Sequence, residues 1–98
     1  MTDLHSPELD ELFDTILSLR TREDCYRFFE DLCTVKELTD MAQRLEGARL
    51  LAAGESYAAV AEKTQMSSAT ISRINRCLRY GTGGYRDAIQ RSGGSRDE

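Results

Sequence analysis

The chain contains no tryptophan, one proline and one histidine. Pro7 stands near the beginning, so nothing downstream carries the ring that breaks a helix. The lone His5 has no cluster of ligands around it, and Cys25, Cys33 and Cys77 show no C-x-x-C spacing, which leaves no metal-site pattern and no paired catalytic histidine. An odd number of cysteines suits reduced thiols, and the burial preference of free cysteine predicts that they are mostly buried. No stretch approaches the roughly 20 apolar residues of a membrane span, and Met1–Asp10 has no apolar signal core. Neither a membrane nor a cofactor is expected, and the expected location is the cytoplasm.

Aromatic content is low, and the hydrophobic share rests mainly on Leu, Ala, Ile, Val and Met. That composition suits packed helices better than sheets, so the expected fold class is all-α. With 98 residues, a single core is modest unless a second subunit adds buried area, so a homodimer is expected.

The formal charge of −4 is unevenly spread. Residues 1–40 carry eleven acidic and four basic side chains, whereas residues 63–91 carry Lys63, Arg73, Arg76, Arg79, Arg86 and Arg91 against Asp87 alone. A locally basic face can neutralise phosphates whatever the sign of the total.

Capping residues and apolar spacing mark about six helices. Ser6-Pro7 starts a first helix over 7–19 with Leu9, Leu12, Phe13, Ile16 and Leu17 at helical spacing. Thr21 caps a second, whose stripe is Cys25, Phe28, Phe29 and Leu32, a core pattern. Thr34-Val35-Lys36-Glu37 has the capping-box form and opens a long spine through Leu38, Met41, Ala42, Leu45, Ala48 and Ala52 that stops at Gly54. Ser56 caps a short helix, Tyr57 to Thr64, and Ser67 caps a fifth that ends after Tyr80 at Gly81-Thr82-Gly83-Gly84. Tyr85 to Arg91 forms a last short helix, giving a single helical domain over 1–91 and a disordered tail over 92–98.

Residues 56–79 read as a helix-turn-helix: a thin alanine-rich first helix, a turn at Gln65, and a second helix whose N-terminal turn projects into the major groove. On the fifth helix, Ile71, Ile74 and Leu78 lie on one side, while Ala69, Ser72, Arg73 and Arg76 lie on the other. The expected DNA-binding residues are Ser67, Ser68, Ala69, Thr70, Ser72, Arg73, Arg76 and Arg79. The arginines can donate to guanine edges or phosphates and the hydroxyls to phosphate or water. Tyr80 and Tyr85 flank the glycine loop, and the simpler reading is that one or both pin it to the core. G-T-G-G follows a helix and lacks the phosphate-loop pattern, which sets nucleotide hydrolysis aside.

Three segments in this order, L-T-D-M-A-Q-R-L-E-G-A-R-L-L-A-A-G, S-S-A-T-I-S-R and R-Y-G-T-G-G-Y, make the chain resemble the Trp repressor superfamily, and more closely its YerC/YecD-like branch. The resemblance, over about Leu9 to Ile89, implies an intertwined homodimer whose N-terminal helices share a core and whose two reading heads meet a palindromic site. Members of the Trp repressor type hold L-tryptophan with a threonine and two arginines, matched here by Thr34, Arg44 and Arg73. The glycine that follows the second arginine in that type is matched by Ile74, a later serine by Cys77, and a DNA-contacting arginine of the motif's first helix by Ala59. An isoleucine in the indole's place predicts no tryptophan response.

The function expected is a non-enzymatic, sequence-specific DNA-binding transcriptional regulator, a repressor by family inference, acting on double-stranded DNA. The rival is a protein-interaction or scaffold module that keeps the helix-turn-helix fold without specific DNA binding, for which the acidic N-terminal part speaks.

Overall fold

Six helices follow one another in the computed structural model, which describes residues 4–93: α1 Pro7–Leu17, α2 Arg22–Leu32, α3 Val35–Ala52, α4 Tyr57–Thr64, α5 Ser68–Tyr80 and α6 Gly84–Arg91. The described residues contain no strand, so the fold is all-α. No helix among them is long and apolar enough to cross a membrane. The chain divides into two compact units, Met1–Leu38 and Thr39–Glu98.

In the first unit every helix start is capped as its sequence demands. Ser6 Oγ accepts from the Leu9 N–H at 3.1 Å with Pro7 inside the first turn, and Thr21 Oγ1 accepts from the Asp24 N–H at 3.0 Å. The Thr34–Glu37 box closes in both directions: the Thr34 N–H donates to Glu37 Oε1 at 2.8 Å, and the Glu37 N–H donates to Thr34 Oγ1 at 3.1 Å. The first helix ends at Leu17 rather than at residue 19. The Ser18 and Leu19 N–H groups bond three residues back, to Thr15 and Ile16, and Ser18 Oγ also donates to the Thr15 carbonyl at 2.6 Å, tightening the last turn so that the helix stops.

Neither α1 nor α2 contains a buried residue. The stripe expected to form core in the second helix is only half-covered at Phe28 and Phe29, whose rings meet edge to face with centroids 5.3 Å apart, and is exposed at Cys25 and Leu32. The cysteines correct the expectation of burial: Cys25 and Cys77 are exposed and Cys33 is half-buried. The reason is placement: α2 encloses no core within one chain, and Cys77 falls on the outward side of α5.

The core lies in the second unit and consists of Ala48, Leu51, Val60, Ile71, Ile74, Leu78 and Ile89, with Leu50, Ala61, Met66 and Tyr85 packed against it. On α3 the buried positions are Gly47, Ala48 and Leu51, which share only Ala48 with the stripe read in the sequence: Leu38 is half-buried, and Met41, Ala42, Leu45 and Ala52 are exposed. The helix ends in a Schellman arrangement: the Glu55 N–H reaches the Leu50 carbonyl and the Gly54 N–H the Leu51 carbonyl, each at 3.0 Å, with Gly54 at φ 94°. Two tyrosines expected at the glycine loop part company, since Tyr85 packs against the core and Tyr80 is 84% exposed. The expected tail falls outside the described residues from 94 onward.

Candidate nucleic-acid interface

Between α4 and α5 the chain turns through residues 65–67. Gln65 takes the left-handed conformation at φ 64°, the only non-glycine among the described residues with positive φ. Its N–H donates to the Ala61 carbonyl and its Nε2 to the Glu62 carbonyl, both at 2.8 Å, so the side chain fastens the strained residue to the end of α4. Buried Thr64 braces the turn from inside: its Oγ1 donates to the Val60 carbonyl at 2.7 Å and accepts from the Met66 N–H at 3.3 Å.

Ser67 then caps α5. Its Oγ accepts from the Thr70 N–H. No acidic side chain stands anywhere in α5, so the helix itself carries nothing that offsets the partial positive charge of its first turn, a setting that favours phosphate. Ile71, Ile74 and Leu78 are buried, and at roughly 100° per residue the opposite side carries Ser68, Ala69, Ser72, Arg73, Arg76, Arg79 and Tyr80. Thr70 lies at the border, half-buried. All eight residues expected at DNA thus lie on the outer side, border or cap of one helix.

The arginines differ in what they already hold. Arg79 Nε donates to Asn75 Oδ1 at 3.1 Å, one turn back. Arg73 and Arg76 are exposed, and neither has a hydrogen bond or ion pair with any described residue. Their guanidinium groups keep all their donors available. Asn75 escaped the sequence reading, though its i, i+4 spacing to Arg79 was visible, and Tyr80, read there as a residue flanking the glycine loop, shares the outward side with Arg73 and Arg76.

The threonine and arginines matched to the tryptophan-holding trio are placed as follows. Thr34 is occupied as the cap of α3 and belongs to the first unit. Arg44 is half-buried and lines a small cleft with Asp40, Gln43, Met66 and Thr70, and Arg73 is exposed on α5. Ile74 is 1% exposed, and its Cδ1 lies 3.6 Å from where a β-carbon on Gly47 would stand, so the position is filled by core. Among the described residues no group of three or more His, Cys, Asp or Glu side chains is placed to hold a metal ion.

A short helix, a three-residue turn and a capped helix with one buried and one cationic side define a helix-turn-helix domain. The chain belongs to the Trp repressor family, whose sequence pattern, that of the Trp repressor protein, matches residues 7–93. It is 52% identical over 88 residues to the uncharacterized protein YerC of Bacillus subtilis strain 168, covering 90% of this chain and 85% of that one. Among solved structures, it is similar to a TrpR-like protein from Eubacterium eligens (TM-score 0.88, 44% identity, 92% of this chain and 93% of the other). It is also similar to a candidate Trp repressor from Staphylococcus aureus (TM-score 0.89, 42% identity, 96% of this chain and 94% of the other).

Proposed function

We propose that this protein is a cytoplasmic transcriptional regulator, a repressor, that binds palindromic DNA as a homodimer and does not respond to tryptophan. The observation that carries the reading is the outer side of α5, where Arg73 and Arg76 stand exposed and without a partner among the described residues, on a helix without a single acid. Family membership supports a DNA-binding regulator and not an enzyme.

Homodimerisation rests on the apolar side chains that one chain leaves uncovered. Phe13 is 53% and Leu17 80% exposed, and Leu32 and Val35 are exposed as well, in a unit whose first two helices bury nothing. A second copy is the economical way to remove such area from water. A two-fold dimer presents two reading heads related by symmetry, and its site is then palindromic with half-sites about 34 Å apart.

Selection of binding sites from random duplex DNA tests the whole reading. Recovery of a palindrome, with affinity that falls steeply with salt as several phosphate contacts require, supports it. Retention that is weak, salt-insensitive and without a recovered motif points to the rival, a protein-interaction module built on the same fold.

A further inference from the structure

Within the second unit, α3, α5 and α6 surround a cavity of about 570 Å³ that contains no carboxylate. Ala52, Leu78 and Ile89 supply apolar lining, and three arginines, Arg49, Arg79 and Arg86, line it as well. Its size falls within the roughly 300–1,000 Å³ of sites that enclose a small organic molecule.

Arg49 is the informative residue. Its Nη2 donates to Ser92 Oγ at 2.9 Å, and Ser92 Oγ in turn donates to the Ile89 carbonyl at 3.1 Å, which anchors one arm of the fork. The other arm, Nη1, is enclosed and meets no acceptor among the described residues. A charged donor withdrawn from water without an acceptor works against the folded state, and an anion supplying that acceptor reverses the sign. Arg79 spends only its Nε, on Asn75, and Arg86 has no hydrogen bond or ion pair with any described residue. Three arginines and no carboxylate line one apolar hollow, and Arg49 Nη1, steadied by the bond that Nη2 makes to Ser92, is the donor left to receive an oxygen.

We propose that this cavity binds a small organic anion, a carboxylate or phosphate head on an apolar body, with Arg49 and Arg86 gripping the head and Ala52, Leu78 and Ile89 receiving the body. None of Thr34, Arg44 or Arg73 lines it, so it is separate from the positions matched to the tryptophan-holding trio. Leu78 and Arg79 belong to α5, so an occupant touches the helix that carries the candidate DNA face and competes with phosphate for Arg79. Binding itself does not depend on the DNA reading and is measured without DNA.

The test is a titration of the full chain, labelled with nitrogen-15, with phenyl phosphate and benzoate, using benzyl alcohol as the uncharged control and inorganic phosphate as the anion without a body. The expected result is saturable shifts at Arg49, Leu78, Arg86 and Ile89 with both aromatic anions and none with benzyl alcohol. Arg49→Gln and, separately, the exposed Arg86→Gln weaken binding roughly tenfold, as loss of a charge-assisted contact does. Absence of saturable shifts in the wild type, or unchanged affinity in both variants, overturns the proposal. Equal affinity for inorganic phosphate overturns the role of the apolar lining. Nuclear Overhauser contacts from the acidic α1 of a second copy to Leu78 and Ile89, with no phenyl phosphate bound, show that a protein segment fills the cavity and overturn it as well.

Discussion

Ser67 and Thr70 are joined twice at the start of α5: the Thr70 N–H donates to Ser67 Oγ at 3.2 Å, and the Ser67 hydroxyl donates to Thr70 Oγ1 at 3.0 Å. Both hydroxyls are therefore engaged in starting the helix before any DNA arrives. Ser67→Ala removes the cap and is expected to cost about 1 kcal/mol. In a domain of this size that lowers the melting temperature by about 4–8 °C, read by circular dichroism. Ser68 makes no hydrogen bond with a described residue through its side chain, so Ser68→Ala leaves the melting temperature in place and changes DNA affinity alone.

Arg73→Ala and Arg76→Ala separate binding from folding more sharply. Neither guanidinium holds anything within the described chain, so each change is expected to stay within about 0.5 kcal/mol of wild-type stability. Affinity for the selected DNA falls in both. The arginine that reads a base loses about 1–3 kcal/mol and relaxes specificity at one position, whereas the one on phosphate weakens all sequences alike and lowers the salt slope by about 1. Wild-type affinity in both variants would remove the DNA reading.

The turn offers a test in the opposite direction. Gln65 holds a left-handed conformation that costs a side-chain-bearing residue roughly 1–2 kcal/mol, partly offset by its bond to the Glu62 carbonyl. Gln65→Gly removes the strain along with that exposed bond, and a net gain of about 0.5 kcal/mol is expected in urea unfolding. Gln65→Val is expected to lose more than about 1 kcal/mol, because a β-branched residue is an outlier at positive φ.

Local chemistry made most of the helices legible. Ser6, Thr21, Thr34, Ser56 and Ser67 announced the starts of helices, and four of them accept from the backbone N–H three residues on as N-caps do, with Thr34 doing so in its box. Gly54 announced an end, and the Ile71, Ile74 and Leu78 side of α5 announced its burial. What periodicity could not show is which apolar stripe one chain covers by itself: α1 and α2 carry stripes as regular as that of α5 yet bury nothing. The burial expected of the cysteines failed for the same reason at Cys25, and at Cys77 because it lies off the buried side of α5; the split between Tyr80 and Tyr85 depended on where a left-handed Gly83 aims α6. The Arg49 cavity was out of reach because α3, which carries Arg49, is distant in sequence from α5 and α6, which carry Arg79 and Arg86.

The exposed stripe of α1 makes its own prediction. Phe13→Glu or Leu17→Glu places a charge where a second copy is expected to cover apolar side chains, and the cost falls on association. Sedimentation equilibrium should show a shift from dimer toward monomer, accompanied by a melting temperature that depends on protein concentration. In a chain that is monomeric by design both substitutions are neutral, since neither side chain is buried within one subunit.

Ile74 carries the prediction for tryptophan. Its side chain is enclosed in the core against α3, beside the point where Gly47 approaches α4 and α5 without a β-carbon: one added there would stand 2.7 Å from Met66 Cε. Ile74→Ala is expected to cost about 2–5 kcal/mol as a core truncation, which marks the residue as structural filling. An indole entering that position must displace the isoleucine, and overpacking a filled site costs about 1–3 kcal/mol before any contact is gained. Calorimetric titration of the wild type with L-tryptophan is therefore expected to give no binding heat, and the selected DNA to be bound equally with and without the amino acid. Micromolar binding would mean that Ile74 swings out of the core at little cost, and the melting temperature would then have to rise with tryptophan concentration, since a ligand that binds only the folded chain stabilises it.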